Sequence, residues 1–418
     1  MPPPSMSLNR PDSHWLRTAP QFSNRPTPLP PRTDVAILGA GIMGCSAAYW
    51  LARSGLRPLV LERNPMPVMG ATGRNGGLHV TGSANDYVAE IEKHGRQAAS
   101  EIFALTLNNQ RLLEEVLACE AIEADYAIKG FLVLAREHEA AALRTSAKAL
   151  RADSFAAEWL DRAATVKQFG APLGEEYVGA LWKPNDAVIH SARYTLGVAE
   201  AAVRHGAAFA CGITVTGVEA EPGGWRVRTT GGAVVVSNLL IALNAWAGEV
   251  FPELRAVLTP VRGHIIVTEP APFGLTPWAA DDDFEYGRQL ENGGLLVGGM
   301  RRARADMEVG YAPAPGENAP EVQPDVIAAL RAFVPRLIPG AAALRIDQHW
   351  TGGMDFSPDR HPLAGAWPGR AGLWMIVGLS GHGMPYSQVL PQAIAAQIAR
   401  ADGPRIPAAF DPARFLAV

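Results

Sequence analysis

The chain reads as an α/β protein, with a Rossmann-like dinucleotide-binding domain interleaved with a second, α+β domain built on an antiparallel sheet with helices. Three observations lead there. An apolar run at residues 35–38 is followed at once by Gly39, Gly41 and Gly44 in G-x-G-x-x-G spacing. A second apolar run, 58–61, closes on an acid, Glu62, about 20 residues beyond the glycines. Helical and strand-like stretches then alternate along the rest of the 418-residue chain, too long for one small domain.

In the first unit each glycine has a physical task. Gly39 permits the tight turn, Gly41 lets backbone approach a pyrophosphate, and Gly44 lets a helix lie close to the strand. That helix, predicted over 42–54 and stopped by Gly55, aims its N-terminal amides and its dipole at the phosphates. Glu62 is placed to accept hydrogen bonds from an adenosine ribose and disfavours a 2′-phosphate. The candidate cofactor residues of this unit are Gly39, Ala40, Gly41, Ile42, Met43, Gly44, Glu62 and Arg63.

A polar, glycine-dense segment follows at 70–77, GATGRNGG. Its small residues let backbone pass close to a flat ring, and Thr72, Arg74 and Asn75 offer donors for phosphate or ring carbonyls. Ala71, Thr72, Arg74, Asn75, Gly76, Gly77 and Leu78 join the candidate set.

Beyond it, residues 86–119 carry apolar positions at helical spacing, 126–135 reads as a strand and 137–150 as a helix. A helix is predicted at 190–205, then a hairpin about Pro222-Gly223-Gly224 and a buried strand at 239–243. Residues 260–268 and 295–299 are strand-like, with Glu285-Tyr286-Gly287-Arg288 between them. Arg301, Arg302 and Arg304 form a basic cluster best read as a solvated loop; Arg262 and His264 are left open. Finally 373–378 reads as a strand and 380–384, SGHGM, as the turn into a last helix, with Pro385 suited to its first turn and Pro391 expected to kink or delay it.

These motifs together resemble the D-amino-acid oxidase, glycine oxidase and sarcosine oxidase superfamily of FAD-dependent amine oxidoreductases. ATGRNGG most resembles its γ-glutamylputrescine oxidase-like branch, and Trp350-Thr351-Gly352-Gly353 and Gly378-Leu379-Ser380-Gly381-His382-Gly383-Met384 carry the resemblance to the C-terminus. The resemblance implies FAD contacts from Val215, Asn244, Ala245, Trp246, Gly352, Gly381, His382, Gly383 and Met384. Trp246 reads equally as a packed aromatic, and His382 as a turn residue whose backbone does the work. Relatives with cysteinyl- or histidyl-linked flavin carry the linking residue where this chain has Gly352 or Arg74, so the FAD is expected to be non-covalent. The arginine that clamps a substrate carboxylate in glycine-oxidase-like members aligns with Met354, which, unless Arg302 or another basic residue substitutes, points to an amine whose polar end lies farther from the reacting carbon rather than to a plain α-amino acid.

The resemblance also divides the chain into a proline-rich arm at 1–32, an FAD-binding domain at 33–85, 186–258 and 346–418, and a substrate-binding domain at 86–185 and 259–345. Trp15 is a candidate anchor for the arm, which is otherwise expected to be extended on the surface or partly disordered. A formal net charge of −4 gives no basic field for nucleic acid. No run suggests a membrane span, and the arm lacks the apolar core of a signal peptide. Three scattered cysteines, Cys45, Cys119 and Cys211, suggest reduced thiols in a cytoplasmic protein and no metal site.

The expected activity is FAD-dependent oxidation of a primary or secondary amine. Hydride leaves the amine α-carbon for flavin N5, the imine hydrolyses, and O2 reoxidises the flavin to give H2O2. His382, Tyr286 and Arg302 are the candidate catalytic residues. A dehydrogenase using another acceptor, and a flavoprotein with a decayed pocket, remain as alternatives.

Overall fold

In the computed structural model, residues 13–23, 28–280, 285–310 and 322–416 are described. Three sheets organise them. The first runs Val215–Glu221, Gly224–Thr229, Gly232–Ile241, Arg32–Leu38, Pro58–Glu62, Ala208–Cys211, and Leu373–Val377 branches from Gly232–Ile241 with Leu363–Ala366 beside it. Its centre is parallel, Val35 opposite Pro58 and Ile37 opposite Leu240. Such strands are buried on both faces, which is why they appear as unbroken apolar runs rather than alternating ones.

Helix Ile42–Arg53 covers one face of this sheet with helices Ser191–Arg204 and Val389–Ala399, and Tyr49, Tyr194, Phe209 and Ile394 fill the space between them. Gln388 ties the layer together: its amide donates to Tyr194 Oη at 2.6 Å and its carbonyl accepts from Trp50 Nε1 at 2.8 Å.

The second sheet runs Ile346–Phe356, Thr259–Pro270, Gly294–Gly298, Glu285–Gln289, Trp278–Ala280, Phe131–Arg136, Tyr177–Lys183, Glu158–Asp161, almost wholly antiparallel. Helix Pro324–Leu337 packs on it through Val326, Leu330 and Phe333. A small third sheet joins Leu78–His79 to Ala187–Val188 and Ala127–Ile128.

Several expectations change in detail. The stretch 86–119 is two helices, Tyr87–His94 and Arg96–Cys119, broken at Gly95 with φ +82°. The strand expected at 126–135 is split at Gly130, φ +68°, so that its halves enter different sheets. The buried strand at 239–243 is the end of a longer one, Gly232–Ile241, which begins in a hairpin. Residues 346–356, grouped by sequence with the cofactor half, form a strand of the second sheet because their long antiparallel ladder is with Thr259–Pro270.

The arm, where described, is helical only over His14–Thr18, and residues 20–23 and 28–30 have no regular structure. Ser13 caps a helix, His14–Thr18, and Trp15 is buried; residues 1–12 and 24–27 lie outside the described residues. Pro385 sits in a 3-10 turn, Met384–Tyr386, and the last helix starts only at Val389, placing Pro391 in its first turn, where a missing N–H costs little. Among the described residues no helix is long and apolar enough to cross a membrane.

Candidate active site

The first-sheet strands end at a turn that only glycine can make. Gly39 has φ +98°, and a Cβ there would lie 2.6 Å from the Ala242 carbonyl oxygen; a Cβ on Gly44 would lie 1.9 Å from the Gly39 oxygen. The helix therefore starts pressed against the strand, with Ile42 N donating to Thr72 Oγ1 at 3.0 Å. Glu62 holds the same turn from the next strand, accepting from Ala40 N at 2.8 Å and from Asn64 N at 2.9 Å. A bare glycine turn, a helix N-terminus and a carboxylate at adjoining strand ends fit the nucleotide half of a dinucleotide.

The segment 70–77 crosses in front of this turn and is pinned from three distant places. Trp15 Nε1 donates to the Asn75 oxygen at 2.6 Å, Trp350 Nε1 to the Arg74 oxygen at 3.0 Å, and Arg288 Nη1 to the Gly77 oxygen at 2.8 Å. Arg288 is almost fully buried, and burial brings its pKa down to about 10. Inside the segment Asn75 accepts from Gly77 N and donates to the Thr72 oxygen.

A cavity of about 320 Å³ opens from the turn and extends to the second sheet. Of the predicted cofactor residues, Gly41, Ile42, Met43, Ala71, Thr72, Arg74, Asn75, Gly76, Leu78, Asn244, Gly352, Gly381, His382, Gly383 and Met384 line it. Gly39, Ala40, Gly44, Gly77 and Ala245 do not line it. Glu62, Arg63 and Trp246 lie outside its lining at the carboxyl ends of strands Pro58–Glu62 and Gly232–Ile241, with the Arg63 guanidinium 4.6 Å above the Trp246 ring, while Val215 opens strand Val215–Glu221 and does not line the cavity.

The far wall is Phe131, Lys183, Tyr286, Arg301, Met354 and Arg360. Glycines make room for Tyr286: a Cβ on Gly76 would lie 2.8 Å from its ring, and one on Gly298, its partner across the ladder, 2.4 Å. Burial pushes the Tyr286 phenol up to about 12, so it stays protonated and can donate. Arg301 stacks on Phe356 at 4.9 Å, while Arg302 is exposed and outside the cavity. The catalytic candidate Arg302 is thus replaced at the wall by its neighbour, which the 3-10 turn Arg301–Ala303 directs inward.

The other open candidates leave the cavity altogether. Arg262 and His264 pair with the buried Glu308 at 2.9 and 3.0 Å. His382 does reach the cavity. Burial, followed by the charges of Arg360 and Lys183, lowers its pKa to about 4, and its Nδ1 is buried without a hydrogen-bond partner among the described residues.

Sequence reading missed Lys183, Arg360 and Asp355. Lys183 donates to the Thr81 oxygen and pairs with Asp186 at 3.1 Å, and nothing local in the sequence marks it. Asp355 accepts from Gly378 N at 2.5 Å and Leu379 N at 3.2 Å, so this buried carboxylate holds the turn into SGHGM, where Ser380 adopts φ +51°. Its place five residues after Trp350 was the available signal.

Comparison with known proteins agrees with this geometry. The chain is 26% identical over 389 residues to the probable oxidoreductase OrdL of Haemophilus influenzae, covering 90% of this chain and 86% of that one. It is also 26% identical over 389 residues to the gamma-glutamylputrescine oxidoreductase of Escherichia coli, covering 90% and 85%. The crystal structure of glycine oxidase from Geobacillus kaustophilus superposes with a TM-score of 0.76 at 22% identity, covering 91% of this chain and 98% of that one. Residues 34–397 match the model of the DAO family, described as FAD dependent oxidoreductase. The chain belongs to this family and is an FAD-dependent oxidoreductase.

Proposed function

We propose that the protein oxidises a primary or secondary amine at the carbon next to nitrogen, the imine then hydrolysing and O2 accepting the electrons as H2O2. One observation carries this reading: a single cavity joins the dinucleotide-type turn to a wall of Tyr286, Arg301, Arg360 and Lys183. Bound FAD supplies the hydride acceptor. In this reading the first sheet would hold the cofactor, with Gly41–Met43 at its pyrophosphate and 71–78, Gly352 and 381–384 at its flavin, and the second sheet would shape the substrate pocket.

The chain's own contribution is desolvation and charge. Hydride leaves only a neutral amine, and the burial and positive field that hold His382 near 4 lower the pKa of an ammonium beside it in the same way. No dedicated base is then required. His382 stays neutral at assay pH. Met354 lines the cavity where a carboxylate clamp would stand, and Arg301 and Arg360 give the wall two guanidinium groups suited to an acidic group on the amine. Non-covalent FAD is supported by the cysteines: Cys45 is buried in the glycine helix, Cys119 is exposed, Cys211 lies in an edge strand, and none lines the cavity.

The test is anaerobic mixing of flavin-loaded protein with primary amines, secondary amines, amino acids and N-methyl compounds. At least one should bleach the flavin band and, in air, yield peroxide; no bleaching by any of them overturns the amine reading. Photoreduced protein that reoxidises in air over minutes rather than seconds would overturn O2 as acceptor alone.

A further inference from the structure

A second cluster of chemistry-bearing side chains borders the cavity, with Glu90 in its lining. Glu90 and His94 are four apart on helix Tyr87–His94, hence on one face, and His361 comes from the turn between strands Ile346–Phe356 and Leu363–Ala366. One ligand atom from each lies within 4.8 Å of the others. Glu90 is 3% exposed and His361 fully buried.

What the cluster lacks is as informative as what it holds. Glu90 Oε2, His94 Nε2 and His361 Nδ1 are all buried with no hydrogen-bond partner among the described residues. The remaining atoms are well held: Glu90 Oε1 accepts from Ser83 Oγ at 2.6 Å and Asn85 Nδ2 at 2.8 Å and faces His361 Nε2 at 2.7 Å, while His361 N donates to Asp359 Oδ1 at 3.0 Å. A buried polar atom left unpaired costs about 1–3 kcal/mol, and three in one cluster form an unusual concentration. A carboxylate oxygen and an imidazole nitrogen without a proton are electron-pair donors, the kind of donor set that holds a cation.

We propose that Glu90, His94 and His361 bind one divalent first-row transition ion of the zinc class. Two imidazoles and one carboxylate favour zinc and its neighbours over calcium or magnesium, which prefer oxygen alone. Bond lengths of 2.0–2.2 Å draw the three donors to about 3.4 Å apart and leave a fourth position for water. The ion clamps helix Tyr87–His94 to the turn that carries Arg360, the residue next to His361, into the cavity wall. It braces one guanidinium of the wall from the edge of the cavity that Glu90 lines.

The experiment uses the full-length, tag-free, flavin-loaded protein, stripped with chelator and titrated calorimetrically with Zn2+. One ion should bind per chain, with a dissociation constant of about 10 μM or tighter. His94→Ala, at a half-exposed helix end where the fold tolerates truncation, and Glu90→Gln should each weaken binding at least about 10-fold, whereas His138→Ala on an exposed helix face should not. Saturating Zn2+ should raise the melting temperature of the parent and not of His94→Ala. Binding weaker than about 10 μM, or an affinity that neither His94→Ala nor Glu90→Gln lowers, overturns the site.

Discussion

At the residue scale the site depends on absences as much as on side chains. Tyr286 fits only because Gly76 and Gly298 face its ring from two elements, and the strand register that places Gly298 opposite it leaves no slack. Gly298→Ala should push the phenol out of the cavity wall. A drop in kcat/KM of at least about tenfold is expected, equivalent to about 1.4 kcal/mol of transition-state binding, with flavin content retained. A flavin-replete variant with parent kinetics would remove Tyr286 from the wall. The same scale shows where sequence reading stops. Arg301 and Arg302 are adjacent and chemically identical, and the inward one is chosen by a single 3-10 turn after Met300, itself at φ +56°. Neither helical nor strand periodicity applies to such a turn, so the choice was not legible.

At the scale of elements, features set by neighbouring residues were legible and features set by distant ones were not. The glycine turn, its helix and Glu62 lie within 24 residues of one another and follow from local backbone chemistry. The delayed last helix follows equally from Pro391. The segment 70–77 was recognisable as a cofactor loop, yet two of its pins, Arg288 and Trp350, lie 211 and 276 residues from the carbonyls they hold. The third, Trp15, was legible only as a candidate anchor without a target. It turns the short helix His14–Thr18 into part of the site's support, since its ring buries against Gly77 and its N–H reaches the Asn75 oxygen. Trp15→Ala should destabilise the protein by about 3–5 kcal/mol, as expected for removing a buried aromatic, and should release flavin at lower temperature. Trp15→Phe should recover most of the stability but not all of the flavin retention. Denaturant unfolding and flavin fluorescence measure the two separately, and a Trp15→Ala protein matching the parent in both would show the arm to be dispensable.

Across the whole molecule, Asn109 ties the start of the C-terminal helix to His79, a fully buried residue of the small third sheet. Asn109 sets its protonation. The Asn109 carbonyl oxygen accepts from Gln388 N at 2.7 Å and Val389 N at 2.9 Å, so its amide nitrogen must donate, and that nitrogen lies 2.9 Å from His79 Nε2. His79 therefore accepts at Nε2 and must be neutral, consistent with burial bringing its pKa down to about 4. A protonated His79 would set N–H against N–H where the last helix begins. The unfolded chain takes up this proton near the ordinary value of 6.5 and the folded one only near 4. The stabilisation is thus complete above pH 6.5 and is lost as pH falls toward 4, amounting to roughly 3 kcal/mol at 1.36 kcal/mol per pH unit. Unfolding free energy measured by denaturant from pH 7 to 4 should fall steeply in the parent. His79→Gln keeps an acceptor for Asn109 but cannot take the proton, so its curve should be flatter by that amount; parallel curves would place the acid sensitivity elsewhere.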